Sequence, residues 1–258
     1  MTRRWAELTS PELAATIARE PVVIVPLGSM EQHGPHLPVS TDTDIGLALA
    51  EASAEEAATR DIPVLVTPPI WSGYSPHHMD LAGTITVEQD TFIALVGDVV
   101  TSLHRHGVRH VLLLNSHGGN MALAKVAADR VAVRLGVSPV VCTYWHLVGE
   151  EVAAARRSPP GGMGHACELE TSLQLHLEPS RVRSELLAPA VVPAESAYHH
   201  VEMFAASRVS IYRPFTSYSE SGVIGDPTLA TPELGKRIFG ATVGAIVAVC
   251  EEMRRGVL

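Results

Sequence analysis

The 258-residue chain is short of three things that would each have set its class. Cysteine is scarce: Cys142, Cys167 and Cys250 cannot build a disulfide framework and suit a reducing compartment, the cytoplasm. Basic charge is scarce too. Lys+Arg number 19 against 28 Asp+Glu, a formal net charge of -9, which argues against a protein that displaces counterions from nucleic acid. Long apolar runs are absent: none approaches the roughly 18 residues of a membrane span, and Met1 to Glu7 leads into an amphipathic stretch rather than a signal core. Aromatics are only 5%, yet hydrophobic residues reach 46%, enough for a substantial core and too many for disorder. What is abundant is histidine, with 13 residues.

The remaining signals alternate between strand and helix. Ser10-Pro11-Glu12 reads as cap, first-turn proline and first-turn acid of a helix to about Arg19. Pro21 to Pro26 is a buried strand, Asp44 to Thr59 an Ala-rich helix, and Val64 to Thr67 a second strand. Thr86 and Gln89 fit a capping box for a helix reaching His106 and closed by Gly107. Val108 to Leu114 is a third strand, Met121 to Leu135 a helix, Pro139 to Tyr144 a fourth strand and Glu168 to Leu177 a short helix. Thr231-Pro232-Glu233 opens a last helix to about Arg254, and 189–218 shows no period. The pattern predicts one α/β domain over 1–258, a three-layer sandwich with a mostly parallel sheet flanked by helices.

Sites on such sheets gather at the carboxyl ends of the strands. Gly28 to Pro38 with Thr41-Asp42-Thr43-Asp44 follows the first strand. Asn115-Ser116-His117-Gly118-Gly119-Asn120 follows the third, and Gly164 to Ser172 enters a helix from a Pro/Gly loop. Glu31 and His33, two apart, face one way in extended chain. Asp42 or Asp44 is placed to bridge two cations, with His117 and Glu170 completing a set of carboxylates and imidazoles suited to zinc or manganese. Taken singly, each has a structural explanation; Glu168 and Glu170, for example, are ordinary first-turn acids. The coincidence of three such segments points to a metal site. His104, His106 and His110 read as helix-end groups, His199-His200 as surface, and Cys167 as a small buried residue. His77-His78, in the loop after the second strand, are candidates for the substrate pocket.

Together these segments resemble the creatininase (creatinine amidohydrolase) family. The likeness rests on Pro26 to Pro38, Thr41 to Asp44, Asn115 to Asn120, and His165 with Glu168 to Ser172; Ser219 to Pro227 and the last helix are also similar. The resemblance implies the three-layer fold, a two-metal site, hydrolysis of a C–N amide bond and a homo-oligomer, often a hexamer. By position it makes Glu31, His33, Asp42, His117 and Glu170 metal ligands, with Asp42 shared. It makes His165 the catalytic histidine that protonates the leaving nitrogen, and Trp145 an aromatic near the substrate. Zinc is the first expectation for both ions, manganese or iron the alternatives.

Two departures bear on substrate. Creatinine-cleaving members carry a Tyr and a metal-binding Glu where this chain has Gly118 and Gly119, and a Trp-Asp pair near Gly161-Gly162. The diglycine form is more similar to the mycofactocin-associated peptidase, which trims a C-terminal dipeptide, or to a formylamino-pyrimidine deformylase. The pocket candidates are therefore Trp145, Gly118, Gly119, His78 and Glu168, with Asp44 or Glu168 as groups to orient the water. The substrate is expected to be a small molecule or short peptide, with no nucleic-acid or membrane partner. A non-enzymatic, metal-stabilised binding module on the same fold is the alternative from another class.

Overall fold

The computed structural model describes residues 3–191 and 196–258. Four strands form a wholly parallel sheet in the order β2 (Val64–Val66), β1 (Val22–Leu27), β3 (His110–Asn115), β4 (Val140–Thr143). The helices are α1 (Ser10–Ile17), α2 (Thr41–Thr59), α3 (Gln89–Arg105), α4 (Met121–Leu135), α5 (Gly149–Ala155), α6 (Glu168–Leu177) and α7 (Pro232–Arg255). A short antiparallel pair, β5 (Met163–His165) and β6 (Ile224–Gly225), stands apart from the main sheet.

Side-chain alternation along the strands divides the core in two. Val22 and Ile24 of β1, with Leu112 and Leu114 of β3, pack under α2, α6 and α7. Val23, Val25 and Leu27, with Val111 and Leu113, pack under α3 and α4. Both faces of β1 and β3 are therefore buried, which is why these strands are apolar almost throughout. The result is the three-layer sandwich the sequence predicts.

The details correct several expectations. The cap of α1 is Thr9, not Ser10: the Thr9 N–H donates to Glu12 Oε2 at 2.7 Å. Helix α2 begins at Thr41 rather than Asp44, with the Asp44 N–H donating to the Ser40 carbonyl at 2.8 Å. This earlier start places Asp42 in the first turn, where it is buried. Thr86 does not cap α3, whose N-cap is Glu88. Its hydroxyl instead accepts the Ser75 N–H at 2.8 Å and so pins the loop after β2. Helix α5 was not legible, being only 7 residues long. The aperiodic stretch 189–218 carries a bridge from Val191 to Ile224 and a turn at Phe215–Ser217; residues 192–195 of it lie outside the described residues.

Candidate active site

The carboxyl ends of β1 and β3, the first turn of α2 and the β5–α6 junction meet at one point. The chain leaving β1 brings Glu31 and His33, α2 brings Asp42, the loop after β3 brings His117, and α6 brings Glu170. All five side chains are nearly or wholly buried. Asp42 lies between the two imidazoles: Oδ1 is 3.2 Å from His33 Nε2 and Oδ2 is 3.1 Å from His117 Nδ1. Glu31 Oε2 is 3.1 Å from His117 Nδ1, and Glu170 Oε1 is 3.8 Å from His33 Nε2. The ligand atoms form two sets that share Asp42, Glu31–Asp42–His117 and His33–Asp42–Glu170, each with its atoms within 4.8 Å of one another.

The remaining nitrogen of each imidazole is tied to the backbone. His33 Nδ1 donates to the Glu31 carbonyl at 3.1 Å, and His117 Nε2 to the Tyr74 carbonyl at 3.1 Å. Each histidine therefore turns a lone pair inward when neutral, the arrangement metal-binding histidines use. His33 Nε2 and Asp42 Oδ2 are buried and lack a hydrogen-bond partner, as ligand atoms awaiting a cation would. On the donor chemistry, the residues fit a pair of divalent ions.

Surrounding residues fix this arrangement. Asn115 brackets His117, accepting its N–H at 3.2 Å and donating to its carbonyl at 2.8 Å. Ser29 Oγ donates to Glu31 Oε2 at 3.1 Å and pairs with Ser75 Oγ at 2.6 Å, which in turn meets His117 Nε2 at 3.0 Å. Gly119 is obligatory: a Cβ there would lie 2.1 Å from the Tyr74 carbonyl oxygen and 2.5 Å from His117 Nε2. A Cβ at Gly118 would meet nothing within 4 Å. Ala166 takes φ +49, an unusual conformation for a residue with a Cβ. The turn it makes lets His165 and Glu170 face the same cluster, and its N–H donates to Glu170 Oε2 at 2.5 Å.

Charge is balanced inside the cluster. Burial opposes the charged form of Glu31, yet His117, His78 and His165 hold it well below the usual carboxylate range. Glu170 is likewise lowered, by His33, against its burial. Burial also opposes a proton on His117, but Glu31 and Asp42 push it up to about 10. His33 is raised in the same way by Asp42 and Glu170. Burial, reinforced by the neighbouring His33, lowers His165, and burial lowers His77 to about 4.

His165 joins the cluster, its Nδ1 3.7 Å from Glu31 Oε1 and its ring 4.3 Å from that of His33. His78 is also there, 3.3 Å from the same Glu31 oxygen. Phe215, which the sequence did not single out, covers both: its ring centroid is 4.1 Å from His78 and 5.1 Å from His165. Other expected residues lie elsewhere. Both oxygens of Glu168 are taken by the Arg157 and Ser158 N–H groups at 2.8 Å, so it anchors the loop before β5 instead of orienting a water. Asp44 faces Arg181 at 2.7 Å and is not part of the cluster. Trp145 is buried in the core beneath α7, its ring against Tyr144 and His146. Burial raises the Cys167 thiol and keeps it protonated. His199, expected at the surface, is half-buried and faces the Tyr218 hydroxyl at 3.2 Å.

An open parallel sheet with a buried carboxylate–imidazole cluster at its carboxyl edge is the arrangement of an α/β protein with a candidate metal site. Comparison with known proteins names the family. The creatininase profile, described as creatinine amidohydrolase, matches residues 6–250. The mycofactocin precursor peptide peptidase of Mycobacterium tuberculosis (strain CDC 1551 / Oshkosh) is 33% identical over 243 residues, covering 91% of this chain and 85% of the relative. The creatinine amidohydrolase of Pseudomonas putida is 30% identical over 192 residues, 68% of this chain and 72% of the relative. Among solved structures, a manganese form of creatininase superposes with a TM-score of 0.83 at 25% identity, covering 98% of this chain and 99% of that one. The chain belongs to the creatininase family and is an amidohydrolase of that family. That membership settles the choice between enzyme and non-enzymatic scaffold in favour of the enzyme.

Proposed function

We propose that this enzyme uses two divalent ions to hydrolyse an amide bond near the end of a peptide. The observation that carries the peptide reading is the open ground at Gly118, beside a Gly119 that admits no side chain. These are the positions where the creatinine-cleaving branch is expected to carry a Tyr and a Glu. A compact ring needs enclosing walls, whereas an extended chain needs an open mouth. Similarity to the mycobacterial peptidases over 91% of the chain supports the same reading.

Glu31, Asp42 and His117 would hold one ion, and His33, Asp42 and Glu170 the other. Zinc is the first choice, with manganese or iron accepted by the same donors. Bound there, the ions would lower the pKa of a water and polarise the scissile carbonyl. His165 moves the proton. Its Nε2 donates to the Gln32 carbonyl at 2.7 Å, and its Nδ1 faces the cluster. Lowered by burial and by His33, the imidazole starts neutral, so it would first take at Nδ1 the proton that the attacking water gives up. It then delivers that proton to the leaving nitrogen, which is otherwise too basic to depart. Phe215 shields His165 from solvent on one side.

Self-association is part of this reading. Trp71, Ile85 and Leu95 are 48%, 52% and 42% exposed and, with Trp5 and Val99, line an apolar hollow of about 720 Å³. A second copy of the chain would cover it, and sedimentation of the purified protein tests this, with a hexamer as the expected state. The three cysteines are unpaired, which supports a reducing, cytoplasmic setting. Among the described residues no helix is long and apolar enough to cross a membrane.

The test is a substrate panel run with defined metals: creatinine, a formylamino-pyrimidine nucleotide and short peptides with free C-termini. Chelator-sensitive shortening of a peptide, read by mass spectrometry, is expected. Creatinine turnover faster than that of every peptide would overturn the peptide reading.

A further inference from the structure

Two histidines besides the five candidate ligands converge on a single oxygen, Glu31 Oε1. His78 Nε2 lies 3.3 Å from it and His165 Nδ1 lies 3.7 Å from it. Gln32 distinguishes them. The Gly34 N–H can only donate, so the Gln32 atom it meets at 2.9 Å is Oε1. The NH2 end of the same amide then faces His78 Nδ1 at 2.8 Å. An amide NH2 has no acceptor lone pair, so His78 Nδ1 accepts. The hydrogen of neutral His78 therefore sits on Nε2, the nitrogen that lies 3.3 Å from Glu31 Oε1. The main-chain carbonyl of Gln32 does the opposite for His165: it can only accept, and it accepts from Nε2 at 2.7 Å. One residue thus presents an N–H of His78 and a lone pair of His165 to the same carboxylate.

We propose that Gln32, by fixing these tautomers, makes His78 a positioning residue that holds Glu31 Oε1 and turns Oε2, which also accepts from Ser29, toward an ion. The proposal rests on the two-ion reading above. Glu31 Oε2 is the oxygen that faces His117 Nδ1, 3.1 Å away. His78 is not itself a ligand, although the ligand atoms of Glu31, His77 and His78 also cluster within 4.8 Å, because its Nε2 carries a hydrogen. The C-terminal stretch picked out in the sequence completes the clamp. Gly222, at φ +76, packs so closely on Gln32 that a Cβ would lie 2.3 Å from Oε1. Its carbonyl also accepts from Gln32 Nε2 at 3.4 Å, from 190 residues away in sequence.

The experiment titrates zinc against a competing chelator into the full-length protein, wild type and variants, with circular dichroism as a check on folding. His78→Phe should weaken one of the two ions by about 10- to 100-fold, the usual loss when a ligand's hydrogen-bond partner is removed. His78→Gln, whose amide can still donate, should recover most of it. Two-bond 15N–1H spectra of the wild type should show the His78 hydrogen on Nε2, and Gln32→Met should mix the two tautomers. Wild-type zinc affinity in a folded His78→Phe protein, or a wild-type His78 hydrogen on Nδ1, would overturn the proposal. Asp42→Asn serves as control: if that variant keeps both ions, the two-ion reading itself fails. If it loses them while His78→Phe binds normally, only the positioning role fails.

Discussion

Replacing Asp42 by asparagine tests the centre of the site with almost no change in shape. In the ion-free protein Asp42 faces two imidazoles, 3.2 Å from His33 and 3.1 Å from His117. At an effective dielectric of about 20, each such contact between charges is worth about 5 kcal/mol before desolvation is subtracted. Losing one partner of a buried ion pair costs about 3–5 kcal/mol net. That is a large share of the roughly 5–15 kcal/mol that holds a domain together. At about 2–4 °C per kcal/mol for a chain of this size, the chelator-treated variant should melt about 10 °C below wild type. The ion-loaded comparison is sharper. The amide keeps one acceptor oxygen and no charge, so it cannot bridge, and bound metal should fall from two ions per chain to one weakly held ion or none. Elemental analysis after gel filtration, paired with calorimetry, measures both effects. Asp44→Asn is the matched comparison. Its partner is a half-exposed Arg181, so it should keep both ions and lose only about 1 kcal/mol or less. An Asp42→Asn protein with two ions and a wild-type melt would show that Asp42 neither bridges the ions nor pairs with the imidazoles.

Other outcomes follow from the same geometry. His165→Ala should cut peptide turnover by about two to four orders of magnitude with metal content unchanged, and retained turnover would remove it from the chemistry. Gly118→Ala should be tolerated within about 0.5 kcal/mol, whereas Gly119→Ala, forced against Tyr74 and His117, should lose metal and melt early. Equal behaviour of the two variants would contradict the packing described. The ion-free protein should also show a defined pH window. His117 is raised to about 10, with His33 shifted the same way, so their stabilisation is full below their unfolded values and lost as pH rises through about 10. Glu31 and Glu170 are lowered, so their contribution is present above the unfolded carboxylate range and lost on acidification. Melting temperatures of chelated protein should therefore fall at both ends, and a flat alkaline limb would contradict the raised imidazoles. Zinc must displace those imidazole protons, so its affinity should climb from neutral to mildly alkaline pH.

The sheet was legible because β1 and β3 are buried on both faces and their sequences are apolar almost without interruption. The cluster was legible through residue type: Glu31, His33, Asp42, His117 and Glu170 are unusual company for strand ends and helix starts, and the fold brings all five together. What sequence misjudged were residues whose partners are remote. Glu168 sits in the same first turn as Glu170, and only the loop at Arg157-Ser158 draws its carboxylate away. Thr86 has the sequence of a cap, but Ser75 claims its hydroxyl. Phe215 lies in an aperiodic stretch, and nothing local announces that it will cover His78. Gln32 carries no titratable group, and its work depends on Gly34 beside it and Gly222 far along the chain.

In the proposed mechanism, Asp42 is shared by two ions in one hydrolytic site. Anomalous diffraction from crystals of the wild-type protein grown with zinc tests it most directly. Two peaks per chain are expected, one among Glu31, Asp42 and His117 and one among His33, Asp42 and Glu170, both touching Asp42. A single peak, or a peak held by His77 and His78 with none on Asp42, would contradict it.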